Sequence, residues 1–404
     1  MSYPPEISAP LGPPCSSQVG LAPARSRTLL SIGGRENLHF VLTTILTAAL
    51  LPALHGLGLP MRFNWKLLAG FYWPSLATQS LLAAVVLYLA AAPRQLLGPW
   101  WERHRQQKAR LAILAILVLP ASLLLGVAKG LLVTVVTAAV LEFVELERAT
   151  GQTRKKISDV LIPAAYLFLG FVLVFAYNDV IAAVRFYGAY DEVFNRMDSR
   201  ILFGTTMPEI VHAALRVLPG WAYKVLEFFY YGMFAQIGGG LVISALCFGR
   251  KTAFRFAGAI VVAYYLALAL FCLWPSQGPF YLCARHFAEF PQQLQTYGYQ
   301  KQFLENVKRI WEHRAISQIN TDYYIAFPCM HIAQPLIVAW FLRHWKRMLG
   351  ILLAYDAIMV AAILLLEWHY AVDLIGGVLV AVLAILIVNP GSFSLRRPKQ
   401  EQTR

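Results

Sequence analysis

Long apolar stretches separated by short basic clusters dominate the chain. A helix needs roughly 20 apolar residues to cross a bilayer. The pattern offers eight such candidates: 39–59, 75–93, 161–184, 222–247, 256–274, 330–345, 348–366 and 370–389. The stretch 110–146 is too long for one straight span and is interrupted by Pro120, Gly126, Lys129 and Gly130. Basic clusters flank it, with Arg103, Arg105, Lys108 and Arg110 before and Arg154, Lys155 and Lys156 after. It predicts a broken hairpin, or one span plus an interfacial helix, for an all-α polytopic bundle of about eight to ten spans. Four regions follow: a Pro-, Ser- and Gly-rich cytoplasmic tail over 1–35, N-terminal transmembrane and interfacial helices over 36–150, a membrane core over 160–390, and a basic tail over 391–404. The first region lacks the charged start, short apolar run and small-residue cleavage site of a secretory signal.

The polar interruptions set an orientation. Arg250, Lys251 and Arg255 sit at one tight turn, Arg343, Lys346 and Arg347 at another, and Arg396, Arg397, Lys399 and Arg404 in the final tail. All three fall on one side, which the positive-inside rule makes cytoplasmic. The opposite side receives two larger pieces, 186–221 and 275–329. In the first, Tyr190, Phe194, Met197 and Ile201 share a helical face that Asp191, Arg196 and Asp198 avoid, which predicts helices lying on the bilayer surface. The second opens with WPSQGPFY, where Pro275, Gly278 and Pro279 end the preceding helix. About fifty residues there exceed what a connector needs, and long loops are often functional.

Composition narrows the class further. Of 404 residues, 58% are hydrophobic and 14% charged, a balance that excludes both a soluble globule and intrinsic disorder. The 35 Lys and Arg against 21 Asp and Glu leave a net charge of +14, but the basic residues lie between spans, which argues against a nucleic-acid partner. Five cysteines, at 15, 247, 272, 283 and 329, are odd in number and scattered, so neither a disulfide framework nor a CxxC zinc motif follows.

Of nine histidines, two stand apart. His331 lies in FPCMH, where Pro328 precedes an apolar helix and marks its start. The backbone N–H groups near Cys329, Met330 and His331 then sit at a helix N-terminus, which attracts phosphate. His369 lies in EWHYAVDLIGG, four residues before Asp373. On one helical face Asp373 can accept a hydrogen bond from one ring nitrogen, fix the tautomer and leave the other nitrogen as a nucleophile. From His331 the chain crosses to the Arg343–Arg347 turn and returns to Glu367, about 22–28 Å each way at 1.5 Å per residue. The two histidines therefore meet at one membrane face. A metal held by His331, His369 and Asp373 is disfavoured, because no second shell and no HExxH is evident.

FPCMH and EWHYAVDLIGG are similar to the second and third signature motifs of the type 2 phosphatidic acid phosphatase superfamily. With WPSQGPFY and YDEVFNRMDSRILFG upstream, the chain most resembles the inositol phosphorylceramide synthase branch over roughly 160–390. The resemblance implies a six-helix core on the last six spans. It implies His369 as the nucleophile forming a phosphohistidine, Asp373 orienting it, and His331 as the general acid for the leaving oxygen. The phosphoryl group would pass to water or to a lipid alcohol acceptor, with no cofactor or metal. The implied substrate is a lipid phosphate or phospholipid in the membrane.

Two departures accompany it. The family's usual Ser is Cys329, a weaker hydrogen-bond donor. The phosphatases' basic marks are absent, with Ile363 where an Arg would stand; the synthase-like branch lacks them too. Arg285, Lys308, Arg309 and Arg314 become unranked candidates to meet the substrate's charge, and Cys329, Met330, Arg285 and Arg314 are the expected substrate-binding residues. The expected setting is a bacterial inner or cell membrane, with the active site facing periplasm or lumen. A transporter or scaffold that keeps the fold without catalysis is the rival reading, and Cys329 is its best support.

Overall fold

The computed structural model describes residues 153–175, 190–283, 289–313 and 325–389, with Tyr177, Ile181, Ala183 and Val184. The readings on 1–35, on all of 36–150 and on 391–404 lie outside the described residues, as do Arg285 and Arg314.

The described residues are helical, without strands. In chain order they form α1 (Thr153–Phe175), α2 (Asp191–Ile201), α3 (Met207–Val217), α4 (Gly220–Tyr231), α5 (Met233–Phe248), α6 (Arg250–Leu273), the short α7 (Pro279–Leu282), α8 (Gln295–His313), α9 (Met330–Leu342), α10 (Lys346–Leu365) and α11 (Ala371–Val388). From 161 onward each expected span overlaps described helix, 161–184 as far as Phe175 and 222–247 across α4 and α5. Among the described residues, four segments are long and apolar enough to cross a membrane: Gly220–Phe248, which joins α4 and α5, then α6, α10 and α11. The apolar part of α1, Asp159–Phe171, and α9 are shorter. This is a helical membrane bundle.

Helix α6 is its axis, packing against α1, α5, α9 and α11. Its inner positions alternate large and small, with Phe256, Ala257, Ile260, Ala263, Ala267 and Phe271 all fully buried. Small residues let neighbouring backbones approach closely where lipid supplies no hydrophobic drive. By contrast α10 and α11 turn Ile351, Leu353, Ile375 and Leu379 outward. Contiguous apolar surface of this kind suits a hydrocarbon surround and would be a liability in water.

Gly249, at φ +84°, makes the turn between α5 and α6 in a region that favours glycine. The α5–α6 and α9–α10 turns carry the basic residues Arg250, Lys251, Arg343, Lys346 and Arg347. Both lie at the end of the bundle opposite His331 and His369, because α6 runs away from Arg250 toward the loop that meets Glu367, and α9 runs away from His331.

Within the 186–221 piece α2 and α3 are helical, and α2 departs from the expected pattern in that Phe194 and the two carboxylates pack inward together. Asp191, Phe194 and Asp198 are buried, whereas Tyr190, Met197 and Ile201 are exposed. The carboxylates point inward because they bind backbone N–H groups of two other segments.

Candidate active site

Two chain segments meet at the centre of the site. Helix α10 ends at Leu365, and Glu367 takes a left-handed backbone, φ +55°, that breaks it. His369 follows, Tyr370 is extended, and α11 starts at Ala371. The facing segment runs from Ala326 through Pro328 to the start of α9. Gly376 and Gly377 let these segments touch. A methyl group on Gly376 would lie 2.7 Å from the Phe327 ring. One on Gly377 would lie 2.9 Å from Ile332 Cβ and would overlap the Cys329 carbonyl oxygen. The Cys329 N–H completes the junction by donating to the Asp373 carbonyl at 3.0 Å.

His369 is 1% exposed and its Nδ1 lies 2.7 Å from the Ala326 carbonyl oxygen and 3.3 Å from Asp373 Oδ2. A carbonyl only accepts, so Nδ1 carries the hydrogen and the neutral ring has its lone pair on Nε2. The expected His369–Asp373 contact is present, but the shorter bond goes to a backbone carbonyl 43 residues upstream. Asp373 Oδ2 also accepts from the Tyr370 N–H at 2.9 Å, so it holds the loop that carries the histidine as well as the ring.

His331 stands in the first turn of α9, partly exposed, with its ring stacked on Tyr230 at a centroid distance of 4.1 Å. Its ring lies 5.6 Å from that of His369. One donor atom from each of Cys329, His331 and His369 falls within 4.8 Å of the other two. The convergence predicted across the α9–α10 hairpin is therefore present, and Cys329 joins it. Met330 is buried as the first residue of α9. Lys308 and Arg309 are exposed on α8, and Lys308 lies 3.6 Å from Glu312. Helix α8 is tied over this end of the bundle by Thr296 N–H to Glu227 at 2.7 Å and by Gln300 Nε2 to the Leu366 carbonyl at 2.8 Å.

Asp191 and Asp198 are the site residues that the apolar pattern missed. Asp198 accepts from the N–H groups of Ala371 and Val372, at 2.8 and 2.9 Å. Asp191 accepts from the N–H groups of Gln277 and Gly278, both at 2.9 Å, and from the Tyr370 hydroxyl at 3.1 Å. Burial pushes the Asp198 carboxyl above its ordinary value, although its two backbone bonds pull it down. The available signal was spacing: Asp191, Phe194 and Asp198 lie on one stripe of a helix.

The arrangement pairs a tautomer-fixed imidazole with a second imidazole at a helix N-terminus. It suits transfer of an anionic group to nitrogen, with a proton donor opposite. No curated protein and no solved structure matches this chain. Residues 196–387 match the family model described as the PAP2 superfamily, and the match supports placing this region in the type 2 phosphatidic acid phosphatase superfamily.

Proposed function

We propose that the chain is a membrane-embedded lipid phosphatase or phosphotransferase acting through a phosphohistidine on His369. The observation that carries this is the Nδ1–H of His369 locked on Ala326 and Asp373, which puts the ring's lone pair on Nε2 and makes Nε2 the attacking atom. Nε2 attacks phosphorus, a P–N bond forms, and the P–O bond to the leaving group breaks. His331 gives its proton to the leaving oxygen. Water or a lipid alcohol then attacks phosphorus and returns a proton to His331 as the P–N bond breaks. The first turn of α9 supplies N–H groups and a positive dipole end for the phosphate oxygens. Arg285 and Arg314 are the proposed cationic partners. The inositol phosphorylceramide synthase-like motifs favour a phospholipid donor and a lipid alcohol acceptor, with the site on the face away from the basic turns.

The test is phosphate release from a panel of lipid phosphates and phospholipids by the detergent-purified chain. The same tubes are assayed for head-group transfer to added ceramide or diacylglycerol. His369→Ala should lose about 10³-fold or more in turnover, and His331→Ala about 10²–10⁴-fold, both with thermal unfolding near that of the wild type. Turnover that survives His369→Ala would remove the phosphohistidine reading.

A further inference from the structure

Cys329 brings sulfur to a place where the resemblance expects a hydroxyl. A thiol and two imidazoles are a donor set for borderline-soft divalent ions, zinc foremost. Around such an ion, bonds of about 2.3 Å to sulfur and about 2.0–2.1 Å to nitrogen put the donor atoms about 3.4–3.6 Å apart. The three donors already lie within 4.8 Å of one another. Closing the remainder takes little more than about 1 Å of side-chain torsion, measured against those bond lengths.

The second shell is also in place. His369 donates through Nδ1 to Ala326 and Asp373, so Nε2 is the nitrogen that would coordinate. A carboxylate or carbonyl behind a coordinating imidazole fixes its ring and raises its basicity. Tyr230 fixes the His331 ring by stacking. Cys329 and His369 are buried while His331 is partly exposed, which leaves an approach for the ion.

We propose that Cys329, His331 and His369 form a site for a thiophilic divalent cation of the zinc class, with the fourth position open. On binding, the sulfur–metal bond replaces the thiol S–H bond and the proton leaves to solvent. Coordination occupies the Nε2 lone pair of His369, so the ion blocks phosphoryl transfer. The binding stands on the geometry alone; the blocking rests on the function proposed above.

The full-length chain in detergent, stripped with chelator, is titrated with Co²⁺ alone. Thiolate-bound cobalt gives an intense near-ultraviolet charge-transfer band. The wild type should bind one ion per chain with that band, and added Zn²⁺ should displace it. Cys329→Ser should lose the band while remaining folded by thermal unfolding. Cys247→Ser and Cys272→Ser, on the exposed sides of α5 and α6, should keep it. Asp373→Asn should weaken affinity by about 10- to 100-fold. A wild type without the band, or a band that survives Cys329→Ser, overturns the site. In the activity arm, stoichiometric Zn²⁺ should stop His369-dependent turnover. Cobalt binding in a chain without His369-dependent turnover would sink the phosphohistidine reading and leave the metal site standing.

Discussion

Two helices begin side by side at the centre of this molecule and treat their N-termini in opposite ways. At α11 the chain's own carboxylates take up the N–H groups. Asp198 binds those of Ala371 and Val372, and Asp373 binds that of Tyr370. At α9 the N-cap is Cys329, whose side chain makes no capping bond. Its own N–H is spent on the Asp373 carbonyl, and the following turn is left to its dipole. An incoming phosphate is repelled from the first end and attracted by the second. A helix N-terminus is therefore an anchor or a receptor according to whether carboxylates reach it. Here the anchored end holds His369, the proposed nucleophile, and the open end carries His331.

Removing the anchor should have the largest effect on the fold. Asp198→Ala leaves the buried N–H of Val372 and the part-buried N–H of Ala371 without their acceptor. Each costs about 1–3 kcal/mol, so the pair costs about 2–6 kcal/mol. The unfolding midpoint in detergent should drop accordingly, and turnover should fall with it because His369 lies two residues before Ala371. Asp198→Asn keeps one oxygen and should fall between. A wild-type midpoint in Asp198→Ala would show that α11 is held by its apolar face alone.

The contact between the two ends comes next. Gly377→Ala pushes a methyl against the Cys329 carbonyl and Ile332. Overpacking of this kind costs about 1–3 kcal/mol. It also moves Cys329 relative to His369, so turnover should fall further than the midpoint implies. Gly298→Ala on α8, with open space around it, serves as the control. Equal behaviour of the two variants would mean that the close approach of α9 and α11 does not govern the site.

The sequence made the helical spans from 161 onward, the FPCMH helix start and the meeting of His331 with His369 legible, because apolar length and a hairpin's arithmetic suffice for them. The inward face of α2 was not legible. The stripe through Tyr190 and Ile201 predicts a helix on the bilayer surface with Asp191 and Asp198 on its polar side, but backbone donors at Gln277 and Ala371 draw both carboxylates inward. The Ala326 carbonyl was equally hidden. A backbone acceptor has no residue-type signature, so the spacing of His369 and Asp373 pointed to the longer of two contacts. The sulfur of Cys329 was visible as a departure, but its distance to both imidazoles is a property of the folded chain.

A third helix start gives the smallest and most separable test of the comparison. At α3 the Thr206 N–H and hydroxyl donate to Glu209 at 2.7 and 2.9 Å, a local cap on exposed residues. These bonds, the backbone one first, hold the Glu209 carboxyl below its ordinary value of 4.5. The carboxyl therefore contributes stability that is present above that ordinary value and is lost as pH falls through the lowered one. Glu209→Gln should cost little at neutral pH, far less than Asp198→Ala, because water can replace an exposed partner. The gap between wild type and Glu209→Gln should then close on acidification, read as unfolding midpoints across the acid range. A gap that stays constant in acid would mean that the lowered carboxyl contributes nothing. A gap as large as that of Asp198→Ala would mean that burial is not what separates a carboxylate that anchors the site from one that only finishes a helix.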